Sequence, residues 1–563
     1  MASYEIKDGV GIIPKSAKKI KNRGFEKCTD LTSVVIPKSV TGIGEQAFDG
    51  CTNLTSVVIP EGVTEIGRNA FARCAGLTSV VIPEGVTNIE VGAFRDCTAL
   101  TSVVFPKSVT KIEHNAFEGC TALTSVVISE GVTEIEYNAF QGCTALTSVV
   151  IPKSVTKIGE QAFYNCTALT SVAIPAGVTK IEAGAFRDCT ALTGVVIPEG
   201  VTEIGNSAFN GCAGLTSVVI PEGVTKIEHY AFTACTALTS VVIPEGVTKI
   251  DIHAFDGCTA LTSVVIPKSV TYIGHDAFNG CTSLTSVAIP AGVTEIESET
   301  FTGCTSLTSV VIPKGVTEIG EQAFNGCAAL TSIIIPESVT EIGYSAFDGC
   351  AGLTSVVIPK SVTEIGDGAF SGCIGLTSIA VAPGNKVYDS REGCNAIIKT
   401  FDRTLIQGCT TTKLPEGGVR MLGAYSFADF TNLANIDSLL EGVGFIGRGA
   451  FTGCTGLTNV TIPESVFVVH DGAFEGCTSL ESVIIQKAIA DFGSYCLFAE
   501  CSNLRSVTLP EGIKKIDETI FRGCDNLNTI NVPAKKADYY KKRLPEKLHQ
   551  FIEELAPVKK AKK

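Results

Sequence analysis

Residues 28–50 read CTDLTSVVIPKSVTGIGEQAFDG, and nearly the same 23-residue stretch follows many times along the chain. Sixteen cysteines keep this spacing of 23 residues, from Cys28 to Cys373. Phenylalanine keeps the same spacing from Phe25 to Phe370. A fixed period of about 20 to 50 residues is typical of a solenoid, in which each unit packs only on its neighbours.

Each unit is predicted to contain a strand, a turn and a short helix. Residues 31–37 have the length and the β-branched content of a strand, and Pro37 begins a turn. Residues 44–51 are typical of one or two turns of helix that bury Ala47 and Phe48. The predicted fold class is an α/β solenoid of the leucine-rich repeat type. In such a fold, a right-handed superhelix carries a parallel sheet on its concave face and short helices on its convex face.

The consensus C-x-x-L-T-S-V-V-I-P-x-x-V-T-x-I-G-x-x-A-F resembles the BspA-like leucine-rich repeat family of bacteria and some protists, and the match covers nearly the whole chain. Leu31, Val34 and Ile36 fit the L-x-x-L-x-L pattern of leucine-rich repeats. Members of this family are described as surface-exposed or secreted proteins that bind host or neighbouring-cell proteins. The resemblance therefore implies a non-enzymatic, adhesin-like role in protein binding and cell adhesion.

The repeat pattern divides most of the chain into three regions. Residues 1–373 are predicted to be a leucine-rich repeat array with an N-terminal cap repeat. Residues 374–413 break the period and are predicted to be an interrupted repeat with an inserted β-hairpin that turns at Asp402 and projects from its coil. Residues 414–533 are predicted to be a second block of repeats, whose last strand ends at Pro533.

A fourth region, residues 534–563, is predicted to contain capping helices and a basic tail. Residues 538–544 and 546–555 have helical patterns whose aromatic and aliphatic side chains could cover the open end of the solenoid. The tail is interpreted as a solvated, disordered end. Its lysines are Lys559, Lys560, Lys562 and Lys563.

Composition limits the partners and the compartment. The net charge of −14 and the pI near 5.1 argue against nucleic acid, because a phosphate-binding face needs clustered lysine and arginine. No run of about 18 apolar residues is present, so no membrane insertion is predicted. The first residues lack the apolar stretch of a signal peptide. The chain as written is predicted to be cytoplasmic, with the cell surface or secretion as the alternative if an export signal was removed.

The row of cysteines allows three interpretations: disulfide bonds, metal ligands or packing. Metal sites need converging side chains at spacings such as C-x-x-C, and the sequence has no such pair. Disulfides require a specific geometry that parallel side chains on adjacent coils must meet. We interpret the 23 cysteines as free, buried, apolar thiols, which favours a reducing compartment.

Two other rows of side chains consist of residue types that bind metal ions. Three histidines at nearly the same position of consecutive units are interpreted as surface residues rather than a zinc site: His229, His253 and His275. Four equivalent glutamates are interpreted as a solvated row rather than a calcium site: Glu295, Glu318, Glu341 and Glu364. Nucleophile, phosphate-binding and zinc-protease motifs are lacking. No enzyme activity, catalytic residue, cofactor or metal site is therefore predicted.

The side chains that point out of the strands define the candidate binding face. Because side chains alternate along a strand, Val34 and Ile36 facing inward place Val35 outward. At about 4.8 Å per strand, the equivalent residues form a stripe roughly 65 Å long, which is of the size that marks interaction sites. We call these residues the valine ladder: Val35, Val58, Val81, Val104, Val127, Val150, Ala173, Val196, Val219, Val242, Val265, Ala288, Val311, Ile334 and Val357.

Two functions are consistent with this face. In the first, the chain is a protein-binding scaffold that uses the concave sheet; the predicted binding residues are Val150, Val196, Val219, Val242, Val265 and Val311. In the second, the chain is a structural or self-associating intracellular scaffold whose valine ladder packs on another copy. Valine could also be present only for its β-propensity. The sequence does not identify the protein ligand.

Overall fold

The computed structural model describes residues 4–489, 495–513, 516–517 and 519–556. The chain forms two compact units, residues 1–292 and residues 293–563. Each unit is a β-solenoid in which a typical coil contributes a first strand of three or four residues and a second strand of two. The predicted handedness of the superhelix and its concave and convex faces stay predictions, as do the boundaries of the four predicted regions.

In residues 1–292, the first strands form one 13-stranded sheet. Its members are Glu5–Lys7, Val10–Ile12, Ser33–Val35, Ser56–Val58, Ser79–Val81, Ser102–Val104, Ser125–Val127, Ser148–Val150, Ser171–Ala173, Gly194–Val196, Ser217–Val219, Ser240–Val242 and Ser263–Val265. Ser286–Ala288 is a further first strand. The second strands form a three-stranded and a nine-stranded sheet. They are Lys19–Ile20, Gly42–Ile43, Glu65–Ile66, Asn88–Ile89, Lys111–Ile112, Glu134–Ile135, Lys157–Ile158, Lys180–Ile181, Glu203–Ile204, Lys226–Ile227, Lys249–Ile250 and Tyr272–Ile273.

Residues 293–563 repeat this plan with interruptions. The first strands are Ser309–Val311, Ser355–Ile358, Ser378–Val381, Asn459–Ile462, Ser482–Ile485, Ser506–Thr508, Thr529–Val532 and Ile552–Glu554. The second strands and the inserted hairpin comprise Glu295–Ile296, Glu318–Ile319, Glu341–Ile342, Glu364–Ile365, Tyr388–Asp389, Ile397–Lys399, Thr404–Gln407, Met421–Leu422, Phe445–Ile446 and Val468–Val469. The α-helices are Asp437–Leu440 and Ala537–Lys541, and the 3₁₀ helices are Arg391–Gly393 and Glu546–Phe551.

The segment equivalent to residues 44–51, here called the turn face of each coil, does not form the predicted short helix. It folds as consecutive turns, with a left-handed φ of +54° at Gln46 and +74° at Gly50. The amide of Gln46 donates to the carbonyl of Arg68, 2.9 Å away, and the amide of Phe48 donates to the carbonyl of Ala70 at 2.7 Å. Because these donors bond to the next coil, they cannot make the i to i−4 bonds of an α-helix.

Phenylalanine and cysteine build the core as two adjacent columns. The ring of Phe48 stacks on Phe25 and Phe71 with centroid distances of 5.3 and 5.0 Å. The thiol of Cys51 donates to the carbonyl of Phe25 in the preceding coil, with 2.9 Å between Sγ and O. All 23 cysteines are free thiols and all but two are buried, so their predicted burial is confirmed. Burial raises the pKa of Cys189, for example, to about 12.

A hairpin closes the N-terminal end of the first unit. Glu5–Lys7 pairs antiparallel with Val10–Ile12, which in turn pairs parallel with the next first strand. The ring of Tyr4 stacks on Phe25 at 5.1 Å and so ends the phenylalanine column. This end cap therefore covers an edge that would otherwise expose unpaired backbone groups.

The insert in residues 374–413 does contain an antiparallel pair, but the pair does not project from its coil. Ile397–Lys399 pairs with Thr404–Gln407, which continues in parallel with Met421–Leu422. Ile397, Ile398 and Leu405 are fully buried. The hairpin is therefore part of the solenoid wall, because its second strand takes the place of a second strand in the stack.

We expect Leu405→Ala to lower the free energy of unfolding of residues 293–563 by about 2–3 kcal/mol, because it leaves a cavity among buried side chains. Phe401 lies at the tip of the same hairpin and is 94% exposed. Phe401→Ala should therefore be nearly neutral. Urea unfolding followed by circular dichroism compares the two variants, and equal effects would show that the hairpin lies outside the core.

The C-terminal end matches its predicted helical form only in part, because the α-helix Ala537–Lys541 overlaps the first predicted segment and the second segment is not an α-helix. Residues 546–551 form a 3₁₀ helix, and Ile552–Glu554 then pairs in parallel with Thr529–Val532, so the last strand does not end at Pro533. The added strand covers the edge of Thr529–Val532. Tyr540 is fully buried and its hydroxyl donates to the carbonyl of Pro510. The predicted basic tail lies outside the described residues.

Candidate protein-binding face

The valine ladder points outward as predicted. Val218 is 3% exposed, whereas its neighbour Val219 is 66% exposed. Val150, Val196, Val242 and Val265 in the first unit are exposed in the same way, as is Val311 in the second. This alternation confirms the predicted strand phase. The role of these residues in binding stays a prediction.

The sheet register makes the ladder continuous within the first unit. Val218 pairs with Val241 and Val219 with Val242, so that like residues lie over like residues. Eleven positions of the ladder, from Val35 to Val265, lie on the 13-stranded sheet. At about 4.8 Å per strand they form an apolar band of roughly 50 Å. Residues 293–563 carry three further positions of the ladder, Val311, Ile334 and Val357, of which Ile334 is 83% exposed.

A row of threonines borders the ladder and uses its own hydroxyl groups within the sheet. Thr216 Oγ1 donates to the carbonyl of Thr193 at 3.2 Å, and Thr239 Oγ1 donates to Thr216 at 3.1 Å. The segment from Thr216 to Ile220 contains no charged residue. The face therefore offers a partner valine methyl groups and serine hydroxyl groups rather than charge.

Two shallow pockets lie along the ladder, one in each unit. The first has a volume of about 690 Å³ and is lined by Val81, Val104 and Phe105, with Glu84 and Lys107 at its side. The second, of about 270 Å³, is lined by Ile333, Ile334 and Val357 with Glu337 nearby. Sequence reasoning missed both. Phe105 and Ile334 were the available signals, because each departs from the residue that most coils place there.

The row of four glutamates lies on the second strands of residues 293–563. Glu295 pairs with Glu318, Glu318 with Glu341, and Glu341 with Glu364, so the carboxylates lie in register. Burial and the charges of Glu341 and Glu295 raise the pKa of Glu318. The carboxylates of the row therefore repel one another, as expected for like charges on adjacent strands.

One of the three histidines, His229, lies in a cluster that the sequence did not predict. Among the described residues, Glu228, His229 and Asp251 offer three possible metal-ligand atoms within 4.8 Å of one another. Asp251 comes from the coil after His229, which a reading of one unit does not reveal. Lys226 Nζ lies 2.9 Å from Glu228 Oε1, and Lys249 Nζ lies 3.0 Å from Asp251 Oδ2. Lysine charges thus already neutralise both carboxylates, and the cluster is an ion-pair network.

A solenoid with a 23-residue coil, stacked parallel strands and columns of buried Leu, Ile, Phe and Cys defines a leucine-rich repeat protein. The chain belongs to the BspA-type leucine-rich repeat family. The family model described as "BspA type Leucine rich repeat region (6 copies)" matches residues 11–124, 110–239, 225–351, 294–401 and 408–542. The resemblance seen in the sequence is therefore confirmed. Proteins of this family are generally non-enzymatic scaffolds, and leucine-rich repeat folds generally mediate protein binding.

Several solved structures are similar to this chain. A leucine-rich repeat protein from Bacteroides ovatus ATCC 8483 is 22% identical, covering 85% of this chain and 92% of that one, with a TM-score of 0.35. A leucine rich cell surface protein from Faecalibacterium prausnitzii A2-165 is 31% identical over 58% of this chain and 87% of that one, with a TM-score of 0.36. The family assignment depends on the family model, not on these superpositions. No functionally curated protein matches the chain.

Within the part of the chain that the structure describes, no helix combines the length and the apolar character needed to cross a bilayer.

Proposed function

We propose that the chain is a protein-binding scaffold that docks its partner on the valine ladder. One observation carries the proposal. From Val35 to Val265, coil after coil exposes an apolar side chain at the same strand position of the 13-stranded sheet. Soluble proteins rarely keep a contiguous apolar surface of this size unless it is covered by a partner. Isolated exposed valines would carry no such argument.

The chemistry of the face favours an extended and largely uncharged partner segment. The ladder repeats one side chain at about 4.8 Å intervals, which suits a partner that is itself extended or repetitive. The pocket beside Val81 and Val104 is the place where a single apolar side chain of that partner would anchor. The charges of Glu84 and Lys107 at its side would then determine the orientation of the bound partner more than they would increase its affinity.

Family membership favours adhesion at a cell surface as the form of this binding. Self-association is the second candidate, and a specific feature supports it. A second copy of the chain carries the same ladder with the same strand spacing, so two valine ladders match each other along their length. The two candidates differ in oligomeric state, which light scattering coupled to size-exclusion chromatography measures directly.

The test is the triple variant Val219→Lys, Val242→Lys and Val265→Lys. These side chains are exposed, so each change should cost at most about 0.5 kcal/mol of stability. Binding should fall strongly, because three adjacent ammonium groups would have to be desolvated under the partner. If the folded triple variant captures the same partners as the parent chain and keeps its oligomeric state, the ladder is not the binding face.

A matched triple variant with threonine at the same positions separates binding from β-propensity. Threonine keeps the β-branched shape and the strand preference of valine but replaces a methyl group by a hydroxyl. If valine serves only the strand, the threonine variant should bind as the parent does. If the ladder buries apolar surface against a partner, we expect the threonine variant to lose affinity by about tenfold or more.

A further inference from the structure

A second site lies on the turn face of residues 293–563, away from the first strands. In most coils, one position of this face carries a side chain on a left-handed backbone, as at Gln322 and Ser345. In four successive coils near the C-terminus, the same position is held by Tyr425, then two glycines, then Cys496. The glycines are Gly449 and Gly472. Two missing side chains in a row leave a gap in the turn face.

This gap is a pocket of about 410 Å³ with tyrosine on both sides, here called the tyrosine cradle. Tyr425 lies at one side, and its ring lies against Gly449, where an added Cβ would come within 2.5 Å of Tyr425 Cε1. Tyr495 lines the other side and is 59% exposed. The volume is that of a small-molecule site rather than of a protein interface.

Bonds between coils hold the cradle in place without a ligand. The amide of Tyr425 donates to the carbonyl of Arg448 at 2.9 Å, and the amide of Gly472 donates to the carbonyl of Tyr495 at 3.2 Å. The amide of Tyr495 also donates to Asp471 Oδ1 at 3.1 Å. The two aromatic sides and the glycine floor therefore keep their spacing in the unliganded protein, which lowers the cost of binding.

The polar groups of the cradle carry both signs of charge. Arg448, Asp471 and Glu475 line the pocket. Arg522 Nη2 lies 3.4 Å from Glu475 Oε1 and Arg522 Nε lies 3.2 Å from Glu500 Oε1, so two guanidinium groups lie among three carboxylates. The excess of carboxylate groups disfavours an anionic ligand. A ligand whose groups both donate and accept hydrogen bonds can use the guanidinium and the carboxylates together.

From this geometry we infer that the tyrosine cradle binds a neutral sugar residue of a glycan. The apolar C–H face of a pyranose ring stacks on a tyrosine ring, and tyrosine combines apolar area with a polar end. Sugar hydroxyl groups both donate and accept, so they can pair with the guanidinium of Arg448 and with the carboxylates of Asp471 and Glu475. The site is separate from the valine ladder, and neither proposal depends on the other.

The experiment titrates the full chain with four neutral trisaccharides: maltotriose, cellotriose, mannotriose and N,N′,N″-triacetylchitotriose. Intrinsic tyrosine fluorescence reports binding, because the chain contains no tryptophan, and calorimetry gives the affinity. We expect at least one sugar to bind with a Kd of about 1 mM or tighter. Tetramethylammonium and inorganic phosphate are titrated in parallel. The assignment would be overturned if either ion bound and no sugar did. It would also be overturned if none of the four sugars bound.

Gly472→Asn is the decisive variant. Asparagine holds the same position at Asn115 and Asn138, with φ of +59° and +57°, so the solenoid accepts it there. An added Cβ at Gly472 would meet Glu475, with Oε2 at 3.1 Å as the end of a flexible side chain and Cβ at 3.8 Å in ordinary contact. The variant should fold normally and bind sugar at least about tenfold more weakly. Unchanged sugar affinity in folded Gly472→Asn would contradict the cradle as the site.

Gly184→Asn makes the same exchange at the equivalent position of residues 1–292 and should leave sugar binding unchanged. Tyr495→Ala should weaken binding, whereas Tyr495→Phe keeps the ring and should retain most of it. Cys496 gives an independent readout, because this half-buried thiol lines the cradle. A bound sugar should slow its alkylation and leave the alkylation of Cys28 unchanged.

Discussion

Val218→Lys is expected to lower the free energy of unfolding of residues 1–292 by about 4 kcal/mol or more, since it places an ammonium group in the core with no carboxylate to receive it. Val218 is 3% exposed, and its strand lies between two others in the 13-stranded sheet. A neighbour on the same strand gives the matched control. Val219→Lys introduces the same side chain one residue later and should cost at most about 0.5 kcal/mol.

Urea unfolding of the two single variants, followed by circular dichroism at the same protein concentration, measures the difference. Coils of a solenoid are stabilised by their neighbours, so damage at Val218 should spread to the coils on either side. Amide hydrogen exchange would show this as lost protection around Val195 and Val241. Equal costs for Val218→Lys and Val219→Lys would mean that the strand phase is wrong.

The core and the strand phase could be predicted because both follow from short-range patterns. The 23-residue period places Phe48, Cys51 and Leu54 at the same point of successive coils, and their equivalents are buried, with Cys28 in the first coil as an exception. The alternation of Val34 and Val35 is a property of any strand. A single unit therefore contains the information needed for both.

The turn face could not be predicted in the same way, because its structure depends on the next coil. Ala47, Phe48 and Cys51 have a spacing that a short helix would also bury, and within one unit the helix is the simpler interpretation. The amide of Phe48 instead bonds to Ala70, which lies 22 residues later. The strand Ile552–Glu554 was missed for a related reason, since it forms by pairing with Thr529–Val532.

The candidate sites also differ in whether a single unit predicts them. The valine ladder is a repeated feature, so its position follows from the consensus. The pocket beside Phe105 and the tyrosine cradle arise where residues differ from the consensus. Each pocket is formed by residues of adjacent coils, so the sequence of a single unit does not predict it. Gly449 and Gly472 are unremarkable in the sequence, because glycine occurs 56 times in the chain. The structure places them side by side between two tyrosines.

Stability should fall steeply as the pH rises above about 8.5, and the buried thiols are the reason. An unfolded cysteine titrates near 8.5. Burial raises the pKa of Cys189 and Cys235 in the folded protein to about 12. Their contribution to stability is therefore fully present below about 8.5 and is lost as the pH rises towards about 12, because only the unfolded state releases the protons.

The size of the effect follows from the number of thiols that unfold together. Each thiol contributes about 1.4 kcal/mol per pH unit in this range. A cooperative block of only three coils would lose about 4 kcal/mol per pH unit. The eleven buried cysteines from Cys51 to Cys281 make the loss several times larger if residues 1–292 unfold as one. We expect alkaline unfolding within about two pH units above 8.5, measured in the presence of reductant.

Lysine and tyrosine also titrate above pH 9, so the thiol contribution is isolated with the double variant Cys212→Ala and Cys235→Ala. Alanine fits in the column but carries no proton, and its cavity lowers stability equally at every pH. The free energy of unfolding of the variant, from urea titrations, should therefore start lower at pH 7. Above about pH 9 it should fall less steeply than that of the parent, by about 2.7 kcal/mol per pH unit. Parallel pH profiles would show that the thiols of Cys212 and Cys235 do not couple ionisation to folding.

Thiol labelling at pH 8 measures how well the folded protein protects the same cysteines. Cys28 and Cys496 are partly exposed and should react quickly. The other cysteines are buried and should react at the rate at which their coils open.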